Sequence, residues 1–482
     1  MATINLSEKN LIIIITALAQ LIQQLIANMT VVALPNMLID LNLTADSIIW
    51  VNLIYLAVFV AFALPFTNLI SQIGVKKSIS FSIIILLISI IITVFSINDY
   101  MLFLSRFIQG ISTAALSISL YIMLVEGLSD EDLGVGLGIV SASGYFGMLI
   151  APSFMGFIIL FSNWRSAFLL LIPILIILLI ALQRIKKEWI IEKGNDINYV
   201  GSLLYIAIMF LFTLGLTTLD EYGIMPLIIN IVLLIIFVKY EISHPNPIYD
   251  FKLLKNIKYL IGNYAAMVTY FTTTIAITAL TFHLRYVLDY EEYFIGLILM
   301  ISPIIMIGLS GLSGKLSNKI DPRTISGIAM MFICISMVFF FFLDFITLEM
   351  IYLACVLQGI GNGLFSAPNN KYVLTIVDEK DLPDASSVLS TSKELGKILS
   401  AGIFTVILSI FIGGQQLGLD HIGHLFIQSA NLMMFICLLL NLSAAILLFY
   451  SKFRYDQVPN ESAVRFFKRI APEWAKKRAY EK

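Results

Sequence analysis

Apolar residues run through this chain in long stretches separated by short polar ones. Stretches of about 20 residues match a bilayer core at 1.5 Å per residue. About fourteen can be marked: 11–33, 47–70, 78–96, 100–125, 134–161, 166–183, 198–219, 223–240, 259–283, 293–316, 324–343, 348–370, 385–412 and 426–450. Almost nothing remains for a water-soluble domain. The first stretch follows Lys9 but is about 23 residues long, lacks a small-residue cleavage pattern and precedes further spans, so it is expected to be retained.

Composition sharpens this picture. Of 482 residues, 59% are hydrophobic and 13% charged, and mean hydropathy is +0.94, whereas soluble domains run near half and a quarter. A soluble enzyme is excluded. A formal net charge of -1 gives no basic surplus to hold nucleic acid. Cys334, Cys355 and Cys437 lie within apolar stretches and show no CxxC or Cys/His spacing, so they read as small packing residues.

Basic residues set the expected orientation. With both termini cytoplasmic, the inner loops hold Lys76, Lys77, Arg184, Lys186, Lys187, Lys193, Lys239, Lys252, Lys255, Lys258, Lys315, Lys319, Arg323, Lys371 and Lys380, and the outer loops only Arg165 and Arg285. The outer acids Asp40, Asp46, Asp99, Asp220, Glu221, Asp289, Asp344 and Asp420 carry little orienting weight. No outer connection exceeds about 15 residues, which leaves no room for a folded extracellular domain. The longest polar interruption, 184–197, falls inside, near the middle of the span list. The tail from Ser451 has nine Lys/Arg against four acids. Its Val464–Ile470 stretch reads either as an interfacial helix on an anionic leaflet or as solvated tail.

A short repeat follows the second and tenth spans. Thr67-Asn68-Leu69-Ile70-Ser71-Gln72-Ile73-Gly74-Val75-Lys76-Lys77 and Gly314-Lys315-Leu316-Ser317-Asn318-Lys319-Ile320-Asp321-Pro322-Arg323 share Leu at the third place and a turn residue at the eighth. Two related halves are the plan of a secondary transporter with its site at their interface. The fourth span places Arg106 inside the membrane, where a charge must face a partner or water or else snorkel to the headgroups. Arg106, Gln109, Thr113 and Ser117 share one helical face, which favours a cavity-facing role. The fifth span carries Gly144, Gly147, Ala151, Pro152 and Gly156, small residues that permit close helix contact or a bend.

These segments resemble the major facilitator superfamily, and within it the fourteen-helix drug:proton antiporters. Leu69, Gly74, Lys76 and Lys77 match the family's GxLaDrxGrkx loop; Arg106, Gln109 and Gly110 match RxxQG. Gly147, Ala151, Pro152 and Gly156 resemble the antiporter signature GxxxGPxxGG, with Ala151 and Met155 in place of glycines. Ala33-Leu34-Pro35 matches the ALP ending helix one. Trp164-Arg165 with Phe168 and Pro173 matches WRxxFxxNxP, with Leu171 in place of Asn. The sequence departs where the family carries acids: Ser71 stands for the loop Asp, Asn318 for its second-half counterpart and Ile26 for a helix-one Asp. Acid-dependent recognition of cationic drugs does not carry over.

The resemblance implies an all-α polytopic membrane protein of the major facilitator fold, with fourteen transmembrane helices. A six-helix bundle spans 1–184, a cytoplasmic linker with two inserted helices 185–255, a second six-helix bundle 256–450, and a basic cytoplasmic tail 451–482. Helices one, four, nine and twelve would then line the cavity. Helix one offers Gln20, Gln24 and Asn28 at i, i+4, i+8; helix twelve offers Gln358, Asn362, Ser366 and Asn370; helix nine offers Asn263, Tyr264, Tyr270, Thr273 and Thr274, although each Thr can bond its own backbone instead. The expected substrate cavity is Gln20, Gln24, Asn28, Arg106, Gln109, Thr113, Tyr270, Gln358, Asn362 and Asn370.

Helix thirteen carries Lys393, Glu394 and Lys397. Glu394 and Lys397 can pair at i, i+3, and Glu394, Arg106 and Lys397 are the expected proton-coupling set, unless this is an exposed helix start at the cytoplasmic interface. Gating is assigned to Gly74, Lys76, Lys77, Gly147, Pro152, Gly156, Asp130, Glu131 and Asp132, with a latch between the two lysines and the acidic run. His421 and His424 beside Asp420 lack a fourth ligand, so no metal site is expected.

The expected function is proton-coupled efflux of amphipathic small molecules by alternating access, in a bacterial plasma membrane suggested by Ile- and Lys/Asn-rich usage. It draws on the proton motive force without a cofactor; its partners are the cargo and membrane lipids, and it works as a monomer. Loss of the helix-one acid, with Arg106, Lys393 and Lys397 present, leans toward neutral or anionic cargo. A dedicated exporter of an endogenous lipid, metallophore or metabolite is the alternative within the fold. An integral-membrane transferase is a further alternative, against which the short outer loops argue.

Overall fold

The computed structural model describes residues 6–41, 43, 45–191, 198–217, 224–249, 251–342, 347–412 and 419–455. Outside these lie the expected tail helix 464–470, Lys193, Asp220, Glu221 and Asp344; the side chains of Asp46, Asp420, His421 and His424 are not described either.

Every long apolar stretch forms α-helix, because a chain without water can satisfy its backbone groups only within the helix itself. The helices are α1 (Leu6–Leu41), α2 (Ala45–Ala63), α3 (Pro65–Ile73), α4 (Val75–Val94), α5 (Asp99–Gly127), α6 (Asp130–Phe161), α7 (Trp164–Leu169), α8 (Leu171–Gln183), α9 (Tyr199–Thr217), α10 (Met225–Ser243), α11 (Ile257–Phe282), α12 (Glu292–Leu299), α13 (Ile301–Leu316), α14 (Pro322–Phe341), α15 (Leu348–Thr375), α16 (Leu382–Ile412) and α17 (Leu419–Tyr455). No strand occurs among the described residues. Twelve helices among them are long and apolar enough to cross a membrane, or thirteen if a bent pair is one span. The last predicted span to be placed, 385–412, lies in α16, 31 residues long. Fourteen is therefore an approximate count.

Two expectations need correction. The second span, expected as one stretch over 47–70, breaks between α2 and α3 with a bend of 61°, because Pro65 at the start of α3 has no N–H to continue the ladder. Helix one does not end at its Ala33-Leu34-Pro35; α1 continues through Pro35 to Leu41.

In the first bundle α1 packs on α6, α4 on α5 and α2 on α5; in the second, α14 packs on α15 and α17, and α11 on α16. The bundles meet where α6 lies along α13 and where α16 crosses α2, α3 and α5. The inserted pair α9 and α10 pack together, and α9 also rests on both α2 and α16. Gly402 brings α16 close to α9, with 3.0 Å between a built Cβ and Leu216 Cβ.

The segment after α8 is fastened to the first bundle. Ile185, Trp189 and Ile191 are buried, Val75 N donates to Trp189 O at 3.0 Å, and Lys76 Nζ donates to Ile185 O at 2.7 Å. The lysine-rich connections of both halves thus gather at one end of the molecule.

Candidate functional site

Two polar centres lie on α5, a deeply enclosed membrane helix. The first is inside the first bundle. Arg106 is 1% exposed; its Nε donates to Val51 O at 3.0 Å, and its Nη1 to Thr30 Oγ1 at 3.0 Å and Gln109 Oε1 at 2.6 Å. The Tyr55 ring centroid is 4.5 Å from the guanidinium. Gln109 Nε2 passes on to Thr93 Oγ1 at 3.0 Å, and Thr113 donates to Gln109 O at 2.7 Å. Arg106 and Gln109, expected to face the cavity, instead tie α1, α2 and α4 around α5. Neutral oxygens and a ring face share the buried charge, and Nη2 has no hydrogen-bond partner.

The second centre lies between the bundles. Ser117 of α5 meets Ser390 of α16 at 3.2 Å, and beyond this pair Lys393 Nζ donates to Tyr121 Oη at 2.7 Å. The Lys393 amine also lies 4.8 Å from the Tyr121 ring centroid and 5.8 Å from that of Tyr270. Lys397 pairs with Glu394 at 2.8 Å and sits 5.6 Å from the Tyr270 ring. Farther along the seam, Ser141 meets Ser366 at 3.1 Å and Tyr145 Oη donates to Asn362 O at 3.2 Å. Thr273 of α11 donates to Asn362 Oδ1 at 3.1 Å. Gln358 Nε2, Asn362 Nδ2 and Glu394 Oε2 are buried here without a hydrogen-bond partner, while Asn370 lies within reach of the Tyr121 hydroxyl and Thr391 within reach of Tyr205 on α9.

Of the residues picked from sequence, the structure gathers Tyr270, Asn362, Asn370, Glu394 and Lys397 at or near this second centre. Gln20, Gln24 and Asn28 are half-buried along α1, on the side that meets α6: a Cβ at Gly144 would lie 3.3 Å from Gln20, and one at Gly147 would lie 2.9 Å from Gln24. Asn28 spends its amide on Gln24 O at 2.8 Å. Sequence reasoning did not single out Tyr55, Tyr121 and Tyr145. Tyr121 was within reach, since it continues the Arg106–Ser117 face by another i+4 step.

Closure is concentrated at the lysine-rich end. Gly134 and Gly138 of α6 leave no space for a side chain against α13: a Cβ on Gly138 would lie 2.6 Å from Ser310 O, and Gly134 is pressed on Gly314 and Asn318. Asn318 also donates to Glu131 O. Lys371 of α15 donates to Asn318 Oδ1 at 2.5 Å, Ser317 O at 3.2 Å and Asp130 O at 3.4 Å. Asp132 pairs with Lys9. The Asp132 carboxylate is thus engaged with α1 and the backbone of Asp130 and Glu131 with the second bundle, while Lys76 is committed to Ile185, a different clasp from the expected latch of Lys76 and Lys77 on the acidic run. Among the described residues, the bonds seen crossing between the bundles, from Tyr145–Asn362 and Ser141–Ser366 to Asn318–Glu131, run from the helix middles to this end. Toward the other end, Pro152 is exposed and a Cβ at Gly156 would meet nothing within 4 Å.

Among the described residues no three His, Cys, Asp or Glu side chains gather as a metal site, and Cys334, Cys355 and Cys437 are buried, unpaired thiols.

The family model described as Major Facilitator Superfamily matches residues 16–401 and, again, 263–479. A riboflavin transporter of Clostridioides difficile is 25% identical over 405 residues, covering 83% of this chain and 88% of its own. An uncharacterized transporter of Escherichia coli is 26% identical, over 79% and 85%. The methylenomycin A resistance protein of Bacillus subtilis is 22% identical, over 83% and 87%. Among solved structures, a human organic anion transporter superposes with a TM-score of 0.63 at 12% identity, over 90% of this chain and 99% of that one. A proton:xylose symporter bound to 6-bromo-6-deoxy-D-glucose superposes with a TM-score of 0.62, also at 12% identity, over 90% and 95%. Likeness at that identity speaks for the fold alone.

Proposed function

Because the chain belongs to the major facilitator superfamily and is a multi-pass membrane protein, we propose that it is a proton-coupled exporter of amphipathic small molecules, of the fourteen-helix antiporter type. It works by alternating access in a bacterial plasma membrane with both termini cytoplasmic. The observation that carries this reading is the polar centre on α5, α11, α15 and α16, which lies on the seam between two bundles clasped at one end. A carrier needs such a site, since its bundles rock around it. The inserted pair α9 and α10 supports the fourteen-helix assignment, and relatives that include a drug-resistance protein and a riboflavin transporter support a small organic cargo.

In this reading the clasped lysine-rich end is cytoplasmic, and the site opens outward to discharge cargo and take up a proton. Glu394 is the coupling group. Its carboxylate pairs with Lys397 at 2.8 Å within α16, and protonation ends that pairing and leaves the Lys397 ammonium without its counter-charge beside Tyr270 of α11. Lys393, Tyr121 and Tyr270 share this space and hold the residual charge.

The test is substrate-driven proton movement in proteoliposomes, across a panel of cationic, neutral and anionic amphiphiles. Glu394→Gln is expected to abolish proton movement while leaving cargo binding within about threefold of wild type, a difference of under 1 kcal/mol. Wild-type pH dependence in that variant would remove Glu394 from the mechanism, and a panel that moves no protons at all would remove antiport.

A further inference from the structure

Charges in the centre between the bundles do not cancel. Glu394 pairs with Lys397 at 2.8 Å and also acts on the neighbouring Lys393, so two ammonium groups stand against one carboxylate. The Lys393 ammonium is 7% exposed and has three protons to donate. It has the Tyr121 hydroxyl at 2.7 Å and the ring faces of Tyr121 and Tyr270 at 4.8 and 5.8 Å. A buried cation is costly unless an anion or a full set of acceptors meets it, and ring faces supply only part of that.

The bond from Lys393 to Tyr121 also crosses the seam, because Lys393 belongs to α16 and Tyr121 to α5. When the clasped end opens, α5 and α16 separate and the ammonium loses this hydroxyl. At that moment the site presents a cation beside the Tyr270 face, with the Tyr121 ring across the widened gap. An acid carried on an aromatic framework matches both features: its carboxylate satisfies the ammonium by charge-assisted hydrogen bonds, and its rings stack on tyrosine.

We propose that Lys393 is the recognition point for an aromatic organic acid, whose carboxylate replaces the Tyr121 hydroxyl on the ammonium while its rings lie against Tyr121 and Tyr270. This rests on the transport reading above and narrows its cargo class. Tyr121 then has a second role, since closing the clasped end returns its hydroxyl to Lys393 and displaces the acid toward the open side.

The experiment uses the full chain in lipid nanodiscs and equilibrium dialysis against three probes of one shape: 2-naphthoate, 2-naphthalenemethanol and 2-naphthylmethylammonium. Naphthoate is expected to bind about tenfold more tightly than the alcohol, with the ammonium weakest. Lys393→Met should erase this preference, Lys393→Arg should keep it, and Tyr121→Phe, which removes the competing hydroxyl, should tighten naphthoate severalfold. Equal binding of the three probes by the wild type, or an undiminished preference in Lys393→Met, overturns the proposal. If Lys393→Met does not fold, Tyr121→Phe decides, and no gain in naphthoate affinity overturns it. The two readings fail separately: Lys393-dependent acid binding without proton movement removes antiport alone, whereas proton movement driven equally by all three probes removes acid recognition alone.

Discussion

The Oε1 of Glu188 accepts the backbone N–H of Lys76 at 2.7 Å, so a carboxylate from the segment between the halves caps α4 of the first bundle. The second half solves the same problem locally: Asp321, at the equivalent place in the repeat, caps α14 by accepting from Arg323 N at 2.8 Å. The first repeat has Gly74 there, with φ +96°, and Ser71, which stands where the family carries Asp, spends its hydroxyl on Thr67 O at 2.7 Å. Glu188 supplies the anion that the loop lacks, where the helix dipole favours it.

Gly74→Ala is expected to lower thermal stability. The backbone conformation is one that only glycine adopts freely, at a strain of about 1–3 kcal/mol, and the new Cβ would lie 2.6 Å from Glu188 Oε1. Glu188→Ala in the same chain relieves the contact but not the strain and gives up the α4 cap, so melting measured by fluorescence-detected size exclusion should recover only in part relative to Glu188→Ala alone. Full recovery would mean that the φ angle carries no cost.

Arg106→Lys should damage the fold more than the cargo site. An ammonium cannot reach Val51 O, Thr30 and Gln109 together, and losing two such bonds costs on the order of 2–4 kcal/mol. The measurement is melting temperature beside transport kinetics: stability and maximal rate should fall while KM stays near wild type. A raised KM at unchanged stability would place Arg106 against the cargo instead.

Gly138→Val should hold the clasped end open, because α6 and α13 leave no room there for a side chain. Gly156→Val, where a Cβ meets nothing within 4 Å, is the control and should be silent. Spin-label distances across the lysine-rich end should lengthen for the first and stay as in wild type for the second.

Acid stability should register the Asp321–Arg323 pair. Partial burial pushes the Asp321 carboxyl up, but the hydrogen bonds and charge of Arg323 outweigh this and hold it below the usual carboxylate range. A depressed folded value contributes stability above the unfolded pKa of about 3.9 and loses it as pH falls through the folded one. Asp321→Asn should therefore be less stable than wild type at pH 7, and the gap should close below about pH 4.

Much of the fold could be read from sequence because a membrane helix announces itself by length and apolarity alone. The bend between α2 and α3 was readable too, in Pro65, but an apolar count passes over a single residue. The centre between the bundles was harder to read. Helical periodicity put Arg106, Gln109, Thr113 and Ser117 on one stripe, which Tyr121 extends, yet it does not tell which neighbour that stripe meets. In the structure the stripe divides along its length, with Arg106 and Gln109 facing other helices of the first bundle and Ser117 and Tyr121 facing α16. The clasp of Gly134 and Gly138 against Gly314 depends on which two helices cross, information that a single chain does not carry in its local pattern.

The position of α9 makes the molecule lopsided toward its lipid surroundings. This helix covers α2 and α16 together, so the seam on that flank is roofed, while among the described residues neither inserted helix packs broadly on α6 or α13. At the unclasped half of α6, a Cβ at Gly156 meets nothing within 4 Å, and Phe157 and Phe161 are exposed beside Leu169 and Leu170. Under the transport reading proposed above, a cargo dissolved in the acyl chains would find the α2–α16 flank covered and would have to reach the seam elsewhere.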